Sequence, residues 1–431
     1  MKCRGLNSLQ LLPALIVGTF ASNASASGFQ LLEQNASGIG NAYAGSAAVS
    51  ENASIIFYNP AGMTQLKDRE LTLGVTAIKP SFQFHNNGSS VGTLGTTSDG
   101  GDAGSWGFVP NFYLSWKLNE KLYAGIGIGA PFGLMTEYES PWKGSAQSNK
   151  FDIKTYNVNP SIAWKVNEDF SIGAGLNWQK LEAEYQRQVA VVAVLPPGIP
   201  GDTPLKLGLD DDAWGWNAGA LIKLTPVTKL GLSYRSKTEY NTTGVLAGSS
   251  ANSAVNAAIS GTVKADVDFP DTFIASLSHQ LNDRWELLGD FSWTGWSSIP
   301  KIDVIRTSGA QAGTVAQTLD TEFRDTVRVA LGTNYKYSDA WKLKFGVAFD
   351  QSPVRGASTR LTSLPDNDRI WFSAGAQWKV SQSSALDLGL TYLYLKDADI
   401  NNNQTAQGRG TVTGTYKDSG WITGVQYSYN F

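Results

Sequence analysis

WKLKFGVAF, residues 341–349, sets Trp341, Leu343, Phe345, Val347 and Phe349 at every second position, with Lys342, Lys344, Gly346 and Ala348 between them. A spacing of two turns successive side chains to opposite faces of an extended strand. LDLGLTYLY, residues 386–394, repeats the pattern with Leu386, Leu388, Leu390, Tyr392 and Tyr394. A strand of this kind needs one apolar and one polar surround, and a membrane barrel supplies both, with lipid outside and a polar lumen within. Fourteen such segments can be read, at 69–84, 106–117, 121–132, 151–165, 169–188, 212–224, 227–242, 261–281, 283–296, 322–337, 339–350, 366–380, 383–396 and 416–431. An even number lets an antiparallel sheet close on itself, so the expected fold is all-β, a 14-stranded antiparallel transmembrane β-barrel over 69–431.

The connections alternate as strictly as the strands. LNEK at 118, VNED at 166, TPVT at 225, LNDR at 281, YSDA at 337 and SQSS at 381 are tight turns, and longer stretches lie between them. Short turns belong to the periplasmic rim and long loops to the outside, which puts both chain ends in the periplasm of a Gram-negative cell. The chain finishes on Trp421, Val425, Tyr427, Tyr429 and Phe431. A final aromatic on the lipid-facing parity resembles the ending by which the barrel assembly machinery recognises its clients.

Composition agrees. The 431 residues carry a net charge of −3, which offers no surface to nucleic acid, and include 45 glycines and 14 tryptophans. The mean hydropathy of −0.18 is that of a soluble protein, yet a barrel is apolar only at alternate positions and girdled by aromatic rims. Lys2 and Arg4, the apolar run Leu11 to Ala21 and Ala24-Ser25-Ala26 read as a signal peptide over 1–26,. Cys3, the only cysteine, falls within it. No metal or cofactor is expected, and His85 and His279 sit too far from any lumenal nucleophile for a hydrolase. A soluble sandwich would share the alternation but not the turn asymmetry, leader and terminal phenylalanine. A TonB-driven transporter would need a larger plug and more strands.

Residues 28–66, GFQLLEQNASGIGNAYAGSAAVSENASIIFYNPAGMTQL, show neither strand alternation nor a helical stripe. Asn59-Pro60-Ala61-Gly62 punctuates them with a turn. Together with GLMTEY (133–138), WGWNAGA (214–220), LSYRSK (232–237), FRDTVRVALGTNY (323–335), AFDQSPV (348–354) and PDNDRIWFSAG (365–375), this stretch closely resembles, in order, the FadL family of outer-membrane transporters of hydrophobic compounds. The resemblance implies that residues 27–68 form a hatch plugging the lumen and that strand three kinks inward to open the wall sideways. It also suggests a monomer in contact with outer-membrane lipid and lipopolysaccharide. Long-chain fatty acids are the first expectation for the substrate. Neutral aromatic or aliphatic hydrocarbons by the same route are the alternative, and a general porin a more distant one.

Particular residues follow. Gly129-Ala130-Pro131-Phe132-Gly133 interrupts strand three, and a proline there removes a ladder hydrogen bond. The resemblance makes this run the lateral opening and gives Asn59, Pro60 and Ala61 a gating role against it. Through GLNWQKLEAEYQR, Arg187 matches a family arginine that holds the ligand's carboxylate, and Phe29 matches a hatch phenylalanine lining the same pocket. A second basic residue of the family's fatty-acid members, a lysine, falls here at or near Leu319. Leu134, Met135, Trp142, Val194 and Leu195 are apolar residues of outer loops and are expected to form an exposed capture surface, with packing of the loops on one another as a cap as the other reading. By strand parity, Arg235, Arg324, Arg328, Arg369, Glu286 and Asp290 point into the lumen, where a ladder of ion pairs is expected. Val245 to Ile259 is expected to hold a short helix.

Overall fold

The computed structural model describes residues 28–90, 98–190, 202–250 and 253–431. The signal-peptide segment 1–26 and the capture residues Val194 and Leu195 lie outside them. Fourteen strands form the wall: β1 (Arg69–Asn86), β2 (Gly107–Lys117), β3 (Leu122–Gly129), β4 (Lys150–Lys165), β5 (Phe170–Ala190), β6 (Asp202–Thr225), β7 (Thr228–Arg235), β8 (Thr272–Gln280), β9 (Trp285–Thr294), β10 (Thr326–Lys336), β11 (Trp341–Asp350), β12 (Arg369–Lys379), β13 (Ser384–Leu395) and β14 (Thr411–Asn430). Each pairs antiparallel with the next, and β1 pairs with β14 from Glu70↔Asn430 to Asn86↔Gly414, closing the barrel without an edge,. No helix among the described residues is long and apolar enough to cross a membrane; the crossing is made by strands.

Alternation places the side chains as the sequence implies. Leu176, Leu277, Leu331, Leu388 and Leu390 face outward. Aromatic rings mark the two rims of that belt: Trp341 stacks on Trp378 at 5.7 Å near the short turns, and Trp214 and Trp216 are exposed at the far rim,.

Several boundaries differ from the expected ones for physical reasons. Segments 227–242 and 261–281 each break in two, at Ser236-Lys237 and at Pro270-Asp271, where the proline has no ladder donor,. Beyond the breaks, Thr238–Gly248 pairs with Gly261–Phe269 and with the outer half of β6, so the sheet continues as an extension above the membrane. That pairing also explains why β6 begins at Asp202 rather than at 212. Segments Ile302–Arg306 and Val315–Leu319 add to this extension, and Ala398–Asn403 pairs with the top of β14. Of the stretch 245–259, only Ser253–Ile259 is helical, because Val245 to Gly248 is taken up by the strand.

Residues 28–66 fill the lumen as short turns: Ile39–Asn41 and Pro60–Gln65 are 3-10, and Ile55–Tyr58 makes a single helical turn. Nearly all of this hatch is buried. At its closest approaches to the hatch backbone the wall carries glycine, with no side chain in the way. A β-carbon on Gly231 would lie 2.0 Å from the Ala47 carbonyl oxygen, and one on Gly346 2.2 Å from Asn41.

Candidate functional site

The wall is irregular where β3 ends. Its ladder with β4 runs to Gly129↔Asn157 and resumes at Gly133↔Lys154, and between them the chain leaves the sheet. Ala130 to Leu134 are all buried, whereas a wall strand exposes every second residue; this segment has moved off the lipid face into the lumen,. On its other side β3 pairs with β2 only as far as Phe112↔Ile128, so Gly107 to Asn111 keep β1 as a partner but lose β3.

The displaced segment is held from two directions. From β4, Thr155 Oγ1 accepts from the Phe132 amide at 2.9 Å and bonds to the Phe132 carbonyl at 2.8 Å. From the hatch, the Leu31 amide donates to the Pro131 carbonyl and the Gly133 amide to the Phe29 carbonyl, both at 2.8 Å, so Gln30 faces Phe132 as an added antiparallel pair. Gln34, fully buried, donates to the Ala130 carbonyl at 2.7 Å and accepts from the Ala130 amide at 3.1 Å. Gln34 carried no signal in the sequence, because a buried glutamine looks like any polar loop residue until its partners are known.

Above the kink lies an aromatic compartment. The Phe29 ring is 4.8 Å from Trp296 edge-on, 5.2 Å from Phe269 and 6.0 Å from Phe132. Gly28 precedes it with φ +62°, and a β-carbon there would lie 2.7 Å from Trp296, so only glycine fits,. Its amide donates to Asp366 Oδ2 at 3.0 Å. Further out, Tyr185, Leu205, Leu207, Leu246, Val263 and Val304 form a second apolar cluster, and Leu319 packs against both.

Arg187 stands beside that outer cluster, opposite Leu205 and nine residues beyond Trp178, above the aromatic rim. Its Nε donates to Gln317 Oε1 at 3.0 Å. Burial pulls the guanidinium down to about 9, with the neighbouring Arg409 charge acting in the same direction; it stays cationic at neutral pH,. Gln317 and Arg409 were not singled out in the sequence, since they meet Arg187 only through loops distant along the chain.

Other expected site residues lie elsewhere. Asn59 donates to the Ala220 carbonyl of β6 at 2.9 Å, and Pro60 and Ala61 press on Gly173 of β5. The hatch residues bonded to the kink are therefore Leu31, Phe29 and Gln34, not Asn59, Pro60 and Ala61. Leu134 and Trp142 are buried, Trp142 stacked on Tyr138 at 3.9 Å, and Met135 is half-buried. The exposed patch expected at Leu134 and Trp142 is not present, because these rings and branches pack into the cap over the lumen.

Most of the lumenal charges point inward as expected, but they chiefly grip the hatch rather than form a ladder of pairs along the wall. Arg235 donates to the Phe57 carbonyl, Arg328 to the Ala42 carbonyl, and Lys344 to the Ser37 carbonyl. Lys342 and Lys344 both reach Glu51 of the hatch at 2.6 Å, and Lys344 also pairs with Asp387. Asp290 accepts from Ser46, and Glu286 from Ser278 and Asn334. Arg369, at the start of β12, pairs with Asp366 of the preceding loop and with Asp350 of β11, and Arg324, outside the strands, pairs with Asp368.

A closed 14-strand barrel with a folded hatch, an inward kink and stacked apolar compartments defines an outer-membrane transporter of hydrophobic compounds. The family described as outer membrane protein transport protein (OMPP1/FadL/TodX) matches residues 17–431, and the chain belongs to it. It is 30% identical over 441 residues to outer membrane protein P1 of Haemophilus influenzae, with 94% of each chain covered. It is 28% identical over 452 residues to the long-chain fatty acid transport protein of Escherichia coli K12, with 97% of each covered. Among solved structures, a Pseudomonas aeruginosa FadL homologue superposes with a TM-score of 0.85 at 24% identity, over 94% of this chain and 100% of that one. The Pseudomonas putida toluene transporter TodX superposes at 0.68 and 16% identity, over 92% and 98%. The family is one of outer-membrane transporters, not of enzymes.

Proposed function

We propose that this protein takes up long-chain fatty acids, binding the carboxylate at Arg187 and laying the chain along the apolar clusters toward Phe29. The observation that carries this reading is a largely buried guanidinium at the head of an apolar compartment, bonded among the described residues to the neutral groups Gln317 and Gln188. Burying a charge without a counter-ion is costly, and a ligand carboxylate would remove that cost. The ligand then leaves sideways into the outer leaflet through the gap between Gly107–Asn111 and the kink Gly129–Gly133. What supports a lateral exit is the missing β2–β3 pairing and the filled lumen below it. The segment that moves is Phe29 to Gln34. Capture from outside falls to the loops that include Met135, Val194 and Leu195.

On this reading the protein works as a monomer amid outer-membrane lipid and lipopolysaccharide. Phe431, 68% exposed, would be presented to the barrel assembly machinery. A neutral aromatic hydrocarbon is the second reading, favoured by the aromatic rings around Phe29 and by Leu319, an apolar residue at or near the place where the resemblance puts a lysine in the family's fatty-acid members. The toluene transporter TodX shares the fold. Extraction of the lipid that co-purifies with the protein, joined to uptake of labelled oleate and labelled toluene by cells dependent on it, decides between them. Free fatty acid in the extract and oleate uptake lost in R187A are expected. Toluene uptake without oleate uptake would overturn the fatty-acid reading.

A further inference from the structure

We propose that Arg409, with Arg306 at the margin, joins Arg187 in one head-group site for the carboxylate of an amphiphile, so that a second cation is supplied from the loop before β14. The inference rests on the fatty-acid reading and names a residue that the sequence pattern did not.

Arg409 lines a cavity of about 520 Å³ between the outer loops, and Arg187 is tied to its wall through Gln317. Gln317, which receives the Arg187 hydrogen bond, lines that cavity together with Thr318, Asn402, Gln404 and Arg409. A chain of hydrogen bonds fixes the loop that carries Arg409 to the strand that carries Arg187. The Tyr185 hydroxyl, two residues from Arg187, donates to the Gln147 carbonyl, and the Gln147 amide donates to the carbonyls of Asn402 and Gly410. The apolar cluster of Tyr185, Leu205 and Leu207 lies beside these groups, giving a cationic head and an apolar tail compartment in continuity.

Among the described residues the three guanidiniums spend their hydrogen bonds on neutral partners. Arg187 bonds to Gln317 and Gln188, Arg409 to Gln404, and Arg306 to the Ile259 carbonyl. Arg409 Nε is buried and bonded to nothing among the described residues. The acids nearby are otherwise engaged or turned to solvent: Glu184 is held by Lys150 and Lys206, and Asp320 and Glu322, on the cavity wall, are exposed. Like charges so gathered repel one another, and an anion between them converts that repulsion into attraction. Two arginines can bind both oxygens of one carboxylate in the same plane.

The test is binding of oleate, oleyl alcohol and 1-oleoyl lysophosphatidate to the detergent-solubilised full chain, in wild type and in R409Q, R409K and R187A. R409Q is expected to lower oleate affinity about tenfold, the low end of what a hydrogen bond to a charged group contributes. Oleyl alcohol should be unmoved by R409Q, and R409K should retain most of the oleate affinity. Arg409 sits in an outer loop outside the wall, and unchanged oleyl alcohol binding doubles as the control for folding. If R187A loses oleate while R409Q does not, the second cation is not Arg409 and this inference fails while the fatty-acid reading stands. If wild type binds oleate no better than oleyl alcohol, the fatty-acid reading fails and takes this inference with it. If lysophosphatidate, and not oleate, is the ligand that R409Q weakens, the site is one for lipid phosphate and the carboxylate assignment is wrong.

Discussion

Between Ser37 and Thr64 the hatch is fixed by charge and by close backbone contact, whereas between Phe29 and Gln34 it is held by neutral hydrogen bonds, to a wall segment that has itself left the sheet and to Thr272, Thr294 and Tyr113 of the regular wall. In the first region Glu51 is gripped by Lys342 and Lys344, and Asn41 and Ala47 press on Gly346 and Gly231. In the second, two backbone hydrogen bonds and the Gln34 amide join hatch to kink. Each such neutral bond contributes about 1 kcal/mol net, so the second contact can open at a cost the first would not allow. The cations divide the same way. Lys344 has acidic partners, and Arg187 has none among the described residues. Lys344 holds the plug through acids and Arg235 and Arg328 hold it through hatch carbonyls, whereas Arg187 bonds to no part of the hatch among the described residues and faces the space where a ligand would lie.

The strongest way to break this contrast is to remove the kink. Replacing Pro131 and Gly133 together by valine should let β3 continue its ladder. Uptake is then expected to cease while ligand still binds to the purified barrel. A straightened variant that folds, binds and transports at the parent rate would mean that substrate travels down the lumen instead.

Pinning each region in turn sharpens the comparison. Gln30 and Phe132 form a non-hydrogen-bonded pair, for which Cα atoms lie about 4.5 Å apart, within disulfide reach. A Gln30→Cys, Phe132→Cys bridge should block uptake when oxidised and release it on reduction. The matching bridge in the fixed region joins Ala44→Cys and Gly332→Cys, where a β-carbon built on Gly332 would lie 3.0 Å from that of Ala44, so that a shift of about half an ångström brings the pair to disulfide spacing. It should leave uptake unchanged. Equal effects from both bridges would show that the hatch moves as one body.

Next in size is Lys344→Ala, which strands Asp387 and weakens the grip on Glu51. Breaking a buried pair costs about 3–5 kcal/mol, to be read as a fall in denaturation midpoint of the barrel in detergent. A shift within error would mean that the glycine contacts suffice to seat the hatch. The smallest expected effect is at the unpaired end. Arg187→Ala should weaken oleate binding by about 1.5–3 kcal/mol and raise or leave unchanged the stability of the free protein, because it removes a buried charge. Calorimetry that found the same loss for a neutral hydrocarbon would make Arg187 structural.

The sequence by itself determined the wall. Alternation in WKLKFGVAF and LDLGLTYLY, the six tight turns and the even number of segments follow from a period of two and from the need to leave no open edge, both of which are local along the chain. It also marked Pro131 as a break and Phe29 and Arg187 as residues to watch through the family resemblance. Only the tertiary structure decided what these face. Gln34 at the kink, Trp296 and Phe269 around Phe29, and Gln317 and Arg409 near Arg187 are brought together from loops and strands separated by as many as 267 residues, the span from Phe29 to Trp296. It also turned Leu134 and Trp142 inward and carried Asn59 to Ala61 to β5 and β6 rather than to the kink. An irregular hatch has no period from which contacts can be read, so its partners are fixed only when the barrel closes around it and each buried polar group must find one.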